Sequence, residues 1–207
     1  YGIYANDSYF KAPISIGTDF CILFVLVPLF LYTYLQYRKK GDAISEIKLI
    51  SVYAVALYYG ASIAFGVTYN QIFLVYVLLF ACSLFGMFAH IKNVRIQQKV
   101  TVTKGLSAFL IVAGAALIVA WLPDIISAMQ SGGTLSLIGV YTTEITYVID
   151  MGIISPLCLV CLYLLKKNDG LGVVLLAVLL KLCIIVGIMV IPQTICQSLS
   201  GVELPIP

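Results

Sequence analysis

The stretch from Leu171 to Leu199 reads LGVVLLAVLLKLCIIVGIMVIPQTICQSL, and its only charged residue is Lys181. An α-helix needs about 20 mainly apolar residues to cross a bilayer, so this stretch is long enough to span one. Five further apolar blocks precede it, roughly Ile14 to Tyr37, Ile47 to Thr68, Ile72 to Ile91, Leu106 to Met129 and Val140 to Leu165. Their runs of Leu, Ile, Val and Ala lack the alternation of barrel strands, and in lipid a helix satisfies its backbone hydrogen bonds within itself. Composition agrees: 62% of residues are hydrophobic, only 10% are charged and the mean hydropathy is +1.08, far from a soluble domain. The expected fold class is all-α, a polytopic transmembrane helical bundle of six visible helices, in one membrane domain over residues 1–207.

The net charge of +3 is small, but its placement is ordered. Arg38, Lys39 and Lys40 follow the first block and Lys48 opens the second; His90, Lys92, Arg95, Lys99 and Lys104 lie between the third and fourth; Lys166 and Lys167 lie between the fifth and sixth. The positive-inside rule puts these three loops in the cytoplasm and residues 1 and 207 outside. The opposite side carries Asp7, Asp124 and Glu203, with Lys11 as its one cation. The basic loops therefore read as topology signals, and nucleic acid is not an expected partner. The chain starts at Tyr1 with no visible signal peptide. This predicts truncation at both ends, with a helix or signal before residue 1 and another helix after residue 207, leaving room for eight helices in the full-length chain.

Charges inside the blocks point to activity, because a central one costs about 2.5–3.5 kcal/mol on insertion scales. They are Asp19, Glu144, Asp150 and Lys181, with Asp124 beside a block end. Counting ~1.5 Å per residue, Asp150 and Lys181 each lie about 15 Å from a block start, near the midplane. Consecutive antiparallel helices are usually neighbours, so the two are predicted to face each other. Such a pair either fixes helix register or acts as a charge relay or ligand anchor. Asp19, Asp124 and Glu144 are predicted to converge at one depth, as an acidic vestibule for a cation or amine. The alternative is three solvated or snorkelling carboxylates. Glu144 and Asp150 stand roughly 120° apart around their helix with Tyr147 between them, an arc suited to a cavity wall.

Tyrosine is enriched at membrane interfaces, and Tyr32, Tyr69, Tyr141 and Tyr163 fit such a belt. Tyr58 and Tyr59 fall inside a block, where they either line a pocket or bond to a neighbouring helix. Asn70 and Gln193 extend the polar outer rim. Pro28, Pro123, Pro156 and Pro192 predict kinks, Gly60, Gly66, Gly86 and Gly114 predict close helix packing, and Asp42 is a candidate N-cap. Cys158 and Cys161 have metal-like spacing, but one histidine in the whole chain leaves zinc without ligands, so no metal site and no cofactor are expected. No Gly-x-Ser-x-Gly elbow, His-Glu-x-x-His or phosphate-binding glycine loop is present, and catalytic residues are not assigned.

Several short pieces carry a resemblance: Tyr1-Gly2-Ile3-Tyr4-Ala5-Asn6-Asp7, Asp19 with Pro28, Phe65-Gly66-Val67-Thr68-Tyr69-Asn70-Gln71, Pro123-Asp124, and Thr146-Tyr147-Val148-Ile149-Asp150 running to Pro156. With Gln193-Thr194 and Gly201-Val202, these span most of the chain, which resembles a family of bacterial multi-pass integral membrane proteins. The resemblance implies an inner-membrane location and an extra helix at each end; it supplies no activity. The expected function is a small-solute or cation transporter or channel with an outward-facing acidic and tyrosine-lined cavity. The alternative is a membrane sensor or ligand-binding protein without transport, and an intramembrane enzyme ranks last. The expected partners are the lipid bilayer and a small-molecule or cation ligand.

Overall fold

A computed structural model of the chain describes residues 2–92, 96 and 100–202. Arg95, Lys99 and Glu203, used above as topology signals, lie outside the described residues. Among the described residues, six helices are long and apolar enough to cross a bilayer: α1 (Lys11–Lys40), α2 (Ala43–Gly66), α3 (Phe73–Ile91), α4 (Lys104–Ser131), α5 (Ile145–Lys166) and α6 (Gly170–Leu199). The molecule is an all-α helical bundle with the architecture of a multi-pass membrane protein.

Local chemistry sets the helix ends at the basic turns. Arg38, Lys39 and Lys40 fill the last turn of α1, where cations meet the negative end of the helix dipole. Gly41 then takes the left-handed conformation (φ 61°) and returns its N–H to the Tyr37 carbonyl. Asp42 caps α2 by accepting from the Ser45 amide at 2.8 Å, and hydrogen bonding from Ser45 holds its carboxyl below the usual value. Thr103 and Asp169 cap α4 and α6 in the same way.

Two of the four prolines widen their helices. In α1 the Val27 amide bonds to the Ile22 carbonyl, and in α5 the Ser155 amide bonds to the Asp150 carbonyl, each a π-type turn. Pro28 and Pro156 follow one residue later. A proline ring clashes with the carbonyl four residues back and offers no N–H, and the wider turn relieves both problems. Pro123 and Pro192 lie inside continuous α-helix.

α2 and α6 form the centre. α2 packs on α1, α3, α5 and α6, whereas α6 packs on α1, α2 and α5, and α4 rests on α5. In its most apolar window α2 is 56% buried, against 11% for α3 and for α4, so the last two are the peripheral spans. Residues of α6 enter all three apolar clusters: Leu182, Ile185 and Met189 with α1 and α2; Leu179 with α4 and α5; Val174 and Val178 with Ile47 and Ile50 of α2. At the basic end His90 bonds to Glu46 at 3.0 Å and packs against the rings of Tyr37 and Tyr53, tying α3 to α1 and α2.

Among the glycines of the described residues, Gly17 stands closest to the backbone of another helix: an added Cβ would stand 2.5 Å from the Gln193 Cα. Small residues permit such contact, and dispersion between the backbones then holds α1 on α6. Gly17→Ala is expected to destabilise the purified protein by roughly 1–3 kcal/mol through overpacking. Gly187→Ala meets nothing within 4 Å and is the matched control. Thermal unfolding in detergent measures both; equal melting temperatures would contradict this account of the α1–α6 contact.

Candidate functional site

The segment before α1 lies across the end of the bundle opposite the basic turns. Tyr4, only 1% exposed, donates to Asp19 at 2.8 Å and shares a 2.8 Å hydrogen bond with the Tyr76 hydroxyl. Burial, reinforced by the bond to Tyr76, raises the Tyr4 hydroxyl well above its ordinary pKa and keeps it protonated. Asp7 accepts three bonds: the Thr68 amide and hydroxyl, both at 2.9 Å, and the Tyr141 hydroxyl at 2.8 Å. One carboxylate thus joins the N-terminal segment, the α2–α3 turn and the α4–α5 loop. Tyr141, which reads in sequence as part of an interfacial belt, is a member of this clamp.

Beneath this strap lies a cavity of about 490 Å³. At its mouth the Lys11 ammonium pairs with Glu144 and sits 4.1 Å from the centre of the Tyr141 ring. Ile14, Ile63, Val67, Leu137 and Ile145 supply apolar wall, whereas Thr18 and Gln193 supply polar wall. Gln193 donates to the Thr18 hydroxyl at 2.8 Å, a contact that the Gly17 approach makes possible.

The floor is Asp150, itself only 6% exposed. One carboxylate oxygen accepts from the Tyr58 hydroxyl at 2.9 Å and the other from the Trp121 indole N–H at 3.0 Å. Both donors are neutral, and no cation lies within 4.0 Å of the carboxylate among the described residues. A carboxylate has about four acceptor positions, so two remain for a guest. Trp121 is itself held in place: its ring stacks on Tyr147 at 4.6 Å, and the Tyr147 hydroxyl donates to Asp124 at 3.0 Å, which also accepts from Ser136. The edge-on contact of Tyr58 with Tyr59 completes an aromatic surround of the acid.

The expected Asp150–Lys181 pair does not form. α5 begins at Ile145 rather than Val140, because the intervening Tyr-Thr-Thr-Glu stretch stays in the loop. Counting ~1.5 Å per residue, Asp150 stands about 24 Å from the basic end of α5, and Lys181 about 16 Å from that of α6. The two charges are therefore offset by more than one helical turn. Lys181 has no carboxylate within 4.0 Å among the described residues.

The predicted acidic vestibule also separates into three. Glu144 alone lines the cavity; Asp19 bonds to Tyr4, and Asp124 braces Tyr147 from behind. Asn70 is buried away from the cavity, accepting from the Ile72 amide at the start of α3 and donating to Tyr76. Tyr58, Tyr59, Tyr147, Asp150 and Gln193 do line it. Sequence reading missed Trp121, Thr18, Ser62 and the placement of Lys11. Trp121 was legible in principle, because it stands one helical turn from Asp124, on the same face.

Two outcomes are expected. Tyr58→Phe removes one of two donors to a buried carboxylate, which costs roughly 1–3 kcal/mol; unchanged thermal stability in detergent would refute that bond. Burial, followed by the bond to Asp7, pushes the Tyr141 hydroxyl up to about 12 from 10.0. Since the folded value is the raised one, the contribution of Tyr141 to the clamp is complete below pH 10.0 and is lost as pH rises through about 12. Ultraviolet difference titration of the protein against Tyr141→Phe should show one tyrosinate forming near that upper value; formation at the ordinary value would rule out the clamp.

Comparison with protein-family models, curated proteins and solved structures finds no match to this chain.

Proposed function

We propose that this protein is a transporter or channel for a small organic cation, with its cavity facing outward from a bacterial inner membrane and its basic turns in the cytoplasm. The observation that carries the reading is Asp150: a buried carboxylate at the end of an aromatic-lined cavity, bonded by two neutral donors and without a cation among the described residues. Buried charges are normally paired, and an intramembrane acid marks a functional site by default. Tyrosine and tryptophan faces attract ammonium groups, and the carboxylate supplies the counter-charge. The cavity volume falls within the roughly 300–1,000 Å³ common for small-molecule sites.

Passage past the floor requires movement. One helical turn deeper, Cys21, Val55 and Leu182 are buried together in one apolar cluster. The two wide turns are Ile22–Leu26, which directly follows Cys21 of that layer, and Asp150–Ile154, which begins at the floor acid itself. Single π turns within α-helices recur at functional sites, and these two are the hinges of the reading. The closed layer also favours a second reading, in which a ligand binds and is sensed without crossing.

Trp121 is the sole tryptophan of the chain and touches Asp150, so its fluorescence reports the site directly. Butylammonium and tetramethylammonium are expected to change Trp121 emission saturably in detergent. Asp150→Asn should weaken binding by at least about tenfold, equivalent to ~1.4 kcal/mol, with a melting temperature close to that of the parent. Uptake into proteoliposomes supports transport, and binding without uptake supports the sensor. Absence of any ammonium binding by fluorescence and equilibrium dialysis would overturn both.

A further inference from the structure

Beside its tyrosines the cavity is lined by one basic and two acidic side chains, Lys11 and Glu144 at the mouth and Asp150 at the floor. Lys11 and Glu144 are paired, with only 16% and 13% of their side chains exposed. Asp150 therefore remains the single uncompensated charge. The mouth also shows what this protein does with an alkylammonium group. The side chain of Lys11 is in effect a tethered butylammonium, and it is received by a carboxylate, Glu144, and an aromatic face, Tyr141. The floor repeats that chemistry with Asp150, Trp121 and Tyr58, but without the cation. Glu144, just before α5, and Asp150 within it are six positions apart, about 9 Å along the helix axis, and the wall between them is largely apolar.

Resting on the reading of the cavity as an organic-cation site, we infer that Lys11 is its charge-specificity residue: by occupying Glu144 it limits the guest to one positive charge, at Asp150. A straight-chain diamine could satisfy both acids in this geometry, but its outer ammonium meets the Lys11 ammonium and finds Glu144 already taken. Like charges brought together at a mostly buried site cost far more than in water. Removing the Lys11 charge frees Glu144 and turns the same cavity into a diammonium site.

The test compares butylammonium with putrescine, its diamine counterpart, by Trp121 fluorescence. The unmodified protein should prefer butylammonium by about tenfold or more, and Lys11→Met, which keeps the length of the side chain and removes its charge, should reverse that preference by a similar factor. Lys11→Arg should retain the original preference. The double variant Lys11→Met with Glu144→Gln should restore it, because the mouth is then neutral again. Equal or tighter binding of putrescine by the unmodified protein overturns the inference without any variant. So does an unchanged ratio in Lys11→Met while butylammonium still binds through Asp150, an outcome that leaves the proposed function intact. Failure of the unmodified protein to bind either amine overturns the inference and the reading beneath it together.

Discussion

A carboxylate inside an apolar helical bundle must find donors, and the manner in which Asp150 does so organises this molecule. Tyr58 comes from α2 and Trp121 from α4, so the hydrogen bonds of one α5 side chain hold three helices in register at one depth. The peripheral α4 has few other polar ties to the bundle, and its indole bond to Asp150 fixes where it docks on α5. Behind that bond stands a relay of supports: Asp124 orients Tyr147, Tyr147 stacks on Trp121, and Trp121 reaches Asp150. Both oxygens of the acid are thereby bonded at the end of a cavity, with no ion pair among the described residues.

The opposite requirement shapes the mouth. There Lys11 and Glu144 do neutralise each other, and the N-terminal segment is drawn over the bundle by Tyr4 and Asp7, each bonded to partners far away in the chain. Loops at membrane level need their backbone groups satisfied by protein, and the Asp7 carboxylate meets part of that need for the α2–α3 turn. The cavity is the space left between an outer layer tied together by polar bonds and an inner layer closed by Cys21, Val55 and Leu182. Pro28 and Pro156 each follow a wide turn, in α1 and α5, and the α5 turn begins at Asp150 itself.

The charge placed on Lys181 shows why partner choice is hard to read from one dimension. Counting each residue from the start of its own block brings the two to one level, but those starts lie on opposite sides, and counts from the shared basic end differ by about 8 Å. Threonines and a glutamate beside an apolar run continue the hydrophobic signal when averaged over a window, yet they form a loop here because Glu144 is held by Lys11 and the Tyr141 hydroxyl is held by Asp7. Glycine told a similar story from the other side. Gly60 and Gly114 stand in close contact with neighbouring helices, whereas Gly17, closest among the described glycines to the backbone of another helix, carried no feature that set it apart from other glycines.

What the amino-acid order determined by itself is the class of molecule: six apolar stretches of spanning length, helical because lipid offers no partner for an open backbone, with basic turns at alternate connections and caps such as Asp42 where helices begin. It also determined that charges within those stretches, Asp150 above all, require an explanation. Only the tertiary structure decided which groups answer them. Helices of similar hydrophobicity can pack in many rotations at almost equal cost, and the choice among those rotations rests on a few contacts between residues distant in sequence: Gly17 against Gln193, Tyr58 and Trp121 on Asp150, Lys11 on Glu144. Those contacts create the cavity, and composition and spacing leave no trace of them because each depends on two helices meeting rather than on either one alone.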